Sequence, residues 1–428
     1  MEKRSRVAPH VAELPKSGIR KFFDIVAQSK DTVSLGVGEP DFDTPWHISR
    51  AAVTCLENGG THYTSNLGTP DLRQAICRYL TRRFGSSFDW TKEVLVTVGV
   101  SEAIDLAIRA ICSPGDEILY HEPCFVSYAP TIRLAHAVPV CVETRAEDEF
   151  RLTVAALEAK VTPKTKAMLL NFPCNPTGAV LSRADMAEIL AFAERHDLLI
   201  LADEVYSELN YTVPRAVLGR GDEQQGQDLH DYRLGDAAFG CVASLGCSAE
   251  TAGGTNFLPS FSAFPEHRDR VILLNGFSKS WAMTGYRLGY ACGPADVIDA
   301  MMKIHQYGIM SAPTLAQAAG VEAMDFGDKD VERMRREYQK RRDFLVPALN
   351  AMGLKTVMPK GAFYIFCDIR STGMSDEDFA MKLLKDYGVA VVPGSAFGTC
   401  GAGFVRMSYA TSLEKIKIAA ERIAKMLT

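Results

Sequence analysis

The sequence of 428 residues predicts an α/β protein: a mostly parallel mixed sheet covered by helices, plus a smaller α+β domain. From about residue 90, short apolar runs alternate with longer amphipathic stretches, which is typical of a sheet with helices on its faces. After about residue 295, a long charged helical pattern and two separate strand patterns replace that alternation. The length also exceeds the size at which one hydrophobic core stops growing, which favours two domains.

The strands of the large domain are predicted from runs that are apolar without polar alternation. These runs cover residues 94–98, 117–120, 167–170, 198–202 and 271–274. Helical patterns at 101–112 and about 184–195 lie between them. Strands that are apolar on both faces indicate a mostly parallel sheet buried between two helical layers.

The smaller domain is predicted from a helix at 328–352, strands at 362–366 and 389–392, and a closing helix at 413–427. We therefore divide the chain into three parts. Residues 1–44 are an N-terminal segment that packs with the small domain, 45–300 form the large domain, and 301–428 form the small C-terminal domain.

One region, at about residues 212–257, does not fit the alternation. It carries eight glycines between Gly219 and Gly254 and shows no clear period. Loops longer than about 12 to 15 residues are uncommon in compact domains. We therefore interpret it as an insertion, either a partly ordered lid or a disordered excursion.

Composition excludes several classes of protein. The net charge of −5 and the isoelectric point near 6.0 argue against nucleic acid or an anionic membrane as a partner. No apolar stretch approaches the roughly 20 residues of a membrane helix, and the basic N-terminus leads into no signal core. We therefore expect a cytoplasmic protein.

The 11 cysteines are scattered along the chain. Many lie in apolar context, Cys141 among them, where a small buried thiol is the ordinary expectation. Cys241 and Cys247 lie six positions apart without nearby histidines, which does not favour zinc. We expect no metal.

Polar groups follow the predicted strands where each one ends. Lys279 comes shortly after the run 271–274, Asp203 directly follows 198–202, and Asn175 lies in a rigid proline-rich turn after 167–170. Each has an ordinary explanation: Lys279 as a solvated lysine, Asp203 in a structural salt bridge, and Ser101 as a helix cap. Together, however, they lie at the strand ends where α/β sheets bind ligands.

This set of groups meets the needs of pyridoxal 5′-phosphate. Lys279 supplies an amine for a Schiff base with the cofactor aldehyde, and Asp203 keeps the ring nitrogen protonated. Asn175 and Tyr206 are placed to hydrogen-bond the phenolic oxygen. The predicted catalytic residues are accordingly Lys279, Asp203 and Tyr206.

The phosphate of the cofactor is assigned to three further residues. Ser101 follows a glycine at the start of a predicted helix, where backbone N–H groups and the helix dipole favour an anion. Ser278 and Arg287 flank Lys279 closely in sequence, and Arg287 offers charge-assisted hydrogen bonds.

Several motifs in order resemble the class I/II aminotransferases of fold type I, in the subgroup of aspartate and aromatic aminotransferases. The motifs span residues 36–42, 175–178, 203–206, 278–290 and 404–410. The similarity runs from about Ser17 to the C-terminus and is interrupted only by the insertion. Asp203 and Lys279 are 76 positions apart, about twice the usual spacing in that family.

The resemblance implies further roles at matching positions. Gly38 contacts substrate through its backbone, and Arg406 pairs bidentately with the substrate α-carboxylate. Phe125 stacks on the cofactor ring. Tyr63 reaches the cofactor phosphate of a neighbouring subunit, which implies a homodimer with shared active sites. The remaining implied contacts are Val100 with the cofactor and Asn175 with substrate.

The activity implied is ping-pong transamination from an L-amino acid to a 2-oxo acid, with 2-oxoglutarate expected as acceptor. The sequence shows no unambiguous second arginine for a side-chain carboxylate, so an aromatic or apolar donor is slightly preferred over aspartate. A carbon–sulfur β-lyase would need the same lysine and is the first alternative. The second is a cofactor-sensing regulator, which would need a DNA-binding module that the short segment before Ser17 does not accommodate.

Overall fold

The structure is a computed structural model that describes residues 6–14, 32–213 and 257–428. Most of the predicted insertion and the segment 15–31 thus lie outside the described residues. Numbered in chain order among the described residues, the helices are α1 (Pro9–Ala12), α2 (Trp46–Glu57), α3 (Pro70–Phe84), α4 (Gly99–Ile111), α5 (Tyr128–Leu134), α6 (Val154–Glu158), α7 (Arg183–Arg195), α8 (Ala295–Gly308), α9 (Thr314–Phe326), α10 (Asp328–Ala351), α11 (Asp376–Tyr387) and α12 (Leu413–Leu427).

The strands form three sheets. They are β1 (Val33–Ser34), β2 (Val94–Thr97), β3 (Glu117–Glu122), β4 (Val138–Glu143), β5 (Thr165–Asn171), β6 (Leu199–Asp203), β7 (Val271–Gly276), β8 (Gly289–Cys292), β9 (Tyr364–Asp368), β10 (Val389–Ala390), β11 (Val392–Pro393) and β12 (Phe404–Ser408). A seven-stranded sheet has the order β2-β8-β7-β6-β5-β3-β4. A three-stranded antiparallel sheet has the order β11-β12-β9, and β1 pairs with β10.

The large sheet is mixed and mostly parallel, as predicted. Only β8 is antiparallel to its neighbours, so the other six strands run in one direction and end at the same edge. Buried side chains from helices pack on both faces of this sheet. The loops that follow β2, β5, β6 and β7 are thereby brought to one edge.

The strand predictions differ from the structure both in pairing and in number. The predicted single strand at 389–392 is two strands, since β10 pairs with β1 whereas β11 joins the three-stranded sheet. An apolar run carries no information on which partner each residue pairs with. Four strands, β1, β4, β8 and β12, are not predicted at all. Of these, β4 contains Pro139 and is partly exposed, which weakens its strand pattern.

The boundaries proposed at residues 44 and 300 stay a prediction. The seven-stranded sheet falls within 45–300 and the three-stranded sheet within 301–428. Helix α9, beyond residue 300, packs on α2 and α3. Among the helices described, none is both long enough and apolar enough to cross a membrane.

Candidate active site

Lys279 lies just beyond the end of β7, at the shared edge of the large sheet. Its Nζ donates a hydrogen bond to the Gly38 carbonyl oxygen at 2.7 Å. Burial lowers the pKa of Lys279 to about 8; Glu39 opposes this shift, and Arg406 and Arg287 add to it. A lysine with so low a pKa is partly neutral near physiological pH, which makes its amine a competent nucleophile.

Asp203 ends β6 and is 4% exposed. One carboxylate oxygen accepts the Tyr128 hydroxyl at 2.6 Å, and the other accepts the Val205 N–H at 3.2 Å. Burial raises the pKa of Asp203 to about 6, although the Tyr128 hydrogen bond opposes the rise. Within the described residues no salt bridge includes this carboxylate, so it can still take a cationic partner.

Arg406, on β12, is a buried cation at 3% exposure. Its Nη1 donates to Asn175 Oδ1 at 3.1 Å and its Nη2 donates to the Gly36 carbonyl at 2.7 Å, while Nε has no partner. No acidic side chain of the described residues pairs with it. A buried charge without a counterion is costly, so the geometry suits an anionic group such as a carboxylate.

An anion cradle lies at the start of α4. Gly99 has φ +75°, and a Cβ there would lie 2.9 Å from Arg287 Nη2, so a glycine lets the guanidinium approach the helix N-terminus. Arg287 Nη1 donates to the Thr284 carbonyl at 3.0 Å. Ser101 lies in the first turn of the helix, because the N-cap is Val98. Helix dipole and guanidinium together favour a phosphate.

Tyr206 is buried, and its hydroxyl lies 2.9 Å from the Tyr364 hydroxyl. Tyr364 also donates to the Gly38 carbonyl at 3.2 Å, and the Arg406 guanidinium lies over its ring. Neither Tyr364 nor Tyr128 is among the site residues predicted from sequence. The only available signal was that a buried tyrosine hydroxyl requires a partner.

These groups line one cavity of about 610 Å³. It brings together every residue assigned from sequence except Tyr63, which is 84% exposed and lies outside it. The residues concerned are Gly38, Val100, Ser101, Phe125, Asn175, Asp203, Tyr206, Ser278, Lys279, Arg287 and Arg406.

The chemistry of this donor set fits pyridoxal phosphate. An activated amine, a buried carboxylate without a counterion and an anion cradle match the aldehyde, the ring nitrogen and the phosphate. With the sheet topology, they define a pyridoxal-phosphate-dependent enzyme of fold type I.

Comparison with known proteins specifies the family. The family model described as aminotransferase class I and II matches residues 30–423. An aspartate aminotransferase from Pyrococcus abyssi is 43% identical over 96% of this chain and 95% of its own length. Aromatic-amino-acid aminotransferase 2 from Thermococcus litoralis is 41% identical over 96% of this chain and 95% of its own.

Solved structures agree with these relatives. An aromatic aminotransferase from Pyrococcus horikoshii superimposes with a TM-score of 0.81 and 40% identity, covering 96% of this chain and 98% of that one. The chain therefore belongs to the class I and II aminotransferases, and it is a pyridoxal-phosphate-dependent aminotransferase.

The raised pKa of Asp203 predicts a pH-dependent stability in protein freed of cofactor. Between the ordinary value of 3.8 and about 6, the folded state binds more protons than the unfolded state, so stability falls as pH rises. The Asp203→Asn variant has no such titration. Its free energy of unfolding, relative to that of the wild type, should therefore rise by about 2 to 3 kcal/mol from pH 4 to pH 7. Urea denaturation at both pH values measures the difference.

Asp299→Asn is the control, because the Asp299 side chain is largely exposed and pairs with Lys303 on α8. Its curve should parallel that of the wild type. A difference between Asp203→Asn and wild type that stays constant with pH would show that the Asp203 carboxylate titrates normally.

Proposed function

We propose that this enzyme transfers the amino group of an L-amino acid to a 2-oxo acid, with 2-oxoglutarate as the expected acceptor, in two alternating half-reactions. An aromatic or other largely apolar amino acid is the preferred donor. The observation that carries the proposal is the buried Arg406, which lacks an acidic partner in the described residues and shares a cavity with Lys279. That arrangement accepts the α-carboxylate common to all these substrates.

The residues at the edge of the large sheet have different roles in the proposed reaction. Pyridoxal phosphate, when bound, would supply an electron sink for the pair left on the substrate α-carbon after its proton is removed. Lys279 would hold the cofactor covalently through Nζ, and its amine, once freed by the substrate amine, would take up the α-proton as a general base. Asp203 holds a proton on the ring nitrogen. The Asn175 amide and the Tyr206 hydroxyl hydrogen-bond the phenolic oxygen.

The remaining residues that line the cavity hold and orient the cofactor and the substrate. Ser101, Ser278 and Arg287, with the N-terminus of α4 and Val100, bind the phosphate. Phe125 packs on the cofactor ring. The Gly38 backbone contacts substrate and, through its carbonyl, already positions the Lys279 amine.

The donor preference comes from the rest of the cavity lining. Only two arginines, Arg287 and Arg406, line the cavity among the described residues, and both are assigned. Val37, Ile104 and Phe125 give an apolar lining. Such a lining favours an apolar side chain over a carboxylate, because a buried carboxylate needs a cationic partner.

A second subunit is part of the proposed enzyme. Tyr63 is 84% exposed, and nearby Tyr307 is 87% exposed. The two segments are joined, since Asn66 Nδ2 donates to the Met310 carbonyl at 2.8 Å and Thr314 Oγ1 donates to the His62 carbonyl at 2.7 Å. Exposed aromatic rings on these two neighbouring segments indicate an interaction surface. We assign it to a homodimer in which Tyr63 reaches the partner's cofactor phosphate.

We place the enzyme in the cytoplasm. All nine cysteines within the described residues are free thiols, which agrees with a reducing compartment.

Separate half-reactions test the proposed donor. Holoenzyme is mixed with one amino acid at a time, without any 2-oxo acid, and conversion of the cofactor aldehyde to its amine form is followed by absorbance. Aromatic and apolar donors should convert faster than aspartate at equal concentration. Faster conversion by aspartate would overturn the donor preference, and pyruvate release from cystathionine without an oxo acid would favour a lyase instead.

Arg406→Lys tests the carboxylate assignment. Lysine keeps the charge but loses the bidentate geometry. The KM for donor and for 2-oxo acid should rise about 10- to 100-fold, with a smaller effect on kcat, because charge-assisted hydrogen bonds contribute about 1.5 to 3 kcal/mol. Steady-state kinetics with both substrates give the values.

The matched control is Arg370→Lys. Arg370 is an arginine of the same region, about half exposed, that pairs with Asp368. Its KM values should stay within about twofold of the wild type, as is usual for an exposed pair. Unchanged KM values in Arg406→Lys would contradict the assignment.

Tyr307→Asp tests the homodimer. A carboxylate placed in a desolvated interface should raise the dimer dissociation constant at least about tenfold, as measured by analytical ultracentrifugation. Ile418→Asp on α12 is the control, since Ile418 is also exposed but lies on another element. A dimer equally stable in both variants would place the interface elsewhere.

A further inference from the structure

Two thiols and a carboxylate converge outside the active-site cavity. Glu122 ends β3, Cys141 lies on the neighbouring β4, and Cys400 lies in the short turn Thr399–Gly401 before β12. Their ligand atoms all lie within 4.8 Å of one another, and Cys400 Sγ is 3.9 Å from Glu122 Oε2. Residues far apart in sequence thus form one small cluster.

The carboxylate of this cluster is held in place. Glu122 Oε1 accepts the Tyr120 hydroxyl at 2.7 Å, and Oε2 accepts the Thr399 N–H at 2.9 Å. The turn also passes close by, because a Cβ at Gly398 would lie 2.3 Å from the Glu122 carboxyl carbon. Hydrogen bonds to a ligating carboxylate of this kind are a usual part of metal sites.

The cluster attracts positive charge. In the described part of the chain, no lysine or arginine forms a salt bridge with Glu122. The Glu122 carboxylate is therefore available to a divalent cation, whose binding to the two thiols would release their protons.

We propose that Glu122, Cys141 and Cys400 form a binding site for a thiophilic divalent cation, with zinc as the best fit. A tetrahedral zinc ion with bonds of about 2.3 Å to sulfur and about 2.0 Å to oxygen holds its ligands about 3.5 to 3.8 Å apart. Because the ligand atoms lie within 4.8 Å of one another, each pair would have to approach by at most about 1.3 Å to reach that geometry. Glu122 and Cys141 also line a cavity of about 480 Å³, which has room for a water molecule as fourth ligand.

The site joins two parts of the enzyme. Glu122 and Cys141 belong to the seven-stranded sheet, whereas the turn with Cys400 leads into β12, which carries Arg406. Glu122 also lies three residues before Phe125. A bound ion would tie the loop that supplies Phe125 to the strand that supplies the carboxylate-binding arginine. The inference does not depend on the proposed donor or acceptor.

Calorimetric titration of the reduced full-length protein with Zn²⁺ alone tests the site. The titration uses a Cys241→Ser/Cys247→Ser background, so that these two cysteines of the undescribed segment contribute nothing. About one ion per chain should bind. Co²⁺ in place of Zn²⁺ should give thiolate-to-metal charge-transfer absorption, which reports sulfur ligation independently of activity.

Cys141→Ser, Cys400→Ser and Glu122→Gln should each weaken binding at least about tenfold. Cys112→Ser is the matched control, since that thiol is also half-buried, with a pKa raised by burial and by a nearby carboxylate, Asp116. Its binding should equal that of the background protein. Zinc should also raise the thermal midpoint of the background protein but not that of Cys141→Ser. Equal affinity in the Cys141→Ser and Cys112→Ser variants, or no binding in the background protein, would overturn the proposal.

Discussion

Three charges share the active-site cavity without neutralising one another, and the rest of the structure is arranged around that constraint. Lys279, Asp203 and Arg406 form no salt bridges among themselves in the described residues. Burying such groups is unfavourable, and their pKa values show it: those of Lys279 and Arg406 are lowered and that of Asp203 is raised. Under the proposed function, Asp203 and Arg406 each meet a ligand group of opposite charge and Lys279 bonds the cofactor aldehyde, so that binding of cofactor and substrate offsets the unfavourable burial.

The surrounding backbone prevents these charges from collapsing onto one another. The segment from Leu35 to Gly38 is the central element: Gly36 O accepts from Arg406, and Gly38 O accepts from Lys279. Leu35 is itself fixed, since its N–H donates to Ala390 O and its carbonyl accepts the Ser408 N–H. One segment therefore sets the separation between the Lys279 amine and the Arg406 guanidinium.

Much of this arrangement could be predicted because it follows from strand direction. Residues such as Asp203 and Lys279 come directly or shortly after apolar runs, and parallel strands bring their ends to one edge. The limits of the four predicted helices, at 101–112, about 184–195, 328–352 and 413–427, lie within about two residues of those in the structure, since caps and apolar periodicity are local signals. Strand pairing was not, as the run divided between β10 and β11 shows.

The parts that could not be predicted are those that depend on pairing across the fold. In the sequence, nothing distinguishes Tyr128 and Tyr364 from ordinary core aromatic residues. The structure shows that their hydroxyls hydrogen-bond to Asp203 and Tyr206, respectively. Cys141 and Cys400 are equally ordinary in sequence, and only the packing of the turn before β12 against β3 and β4 brings them together. Contacts between distant residues leave no periodic signal in a single sequence.

The same reasoning explains why the sequence identifies the family but not the amino donor. Under the proposed function, the residues assigned to the cofactor and to the α-carboxylate serve what every transamination shares. The side chain of the donor would meet other parts of the lining, which include Val37 and Ile104. Relatives named for aspartate and for aromatic amino acids are accordingly similar to this chain at nearly equal identity, 43% and 41%. Under the proposed function, donor specificity would rest on a few apolar contacts, each contributing about 1 to 3 kcal/mol.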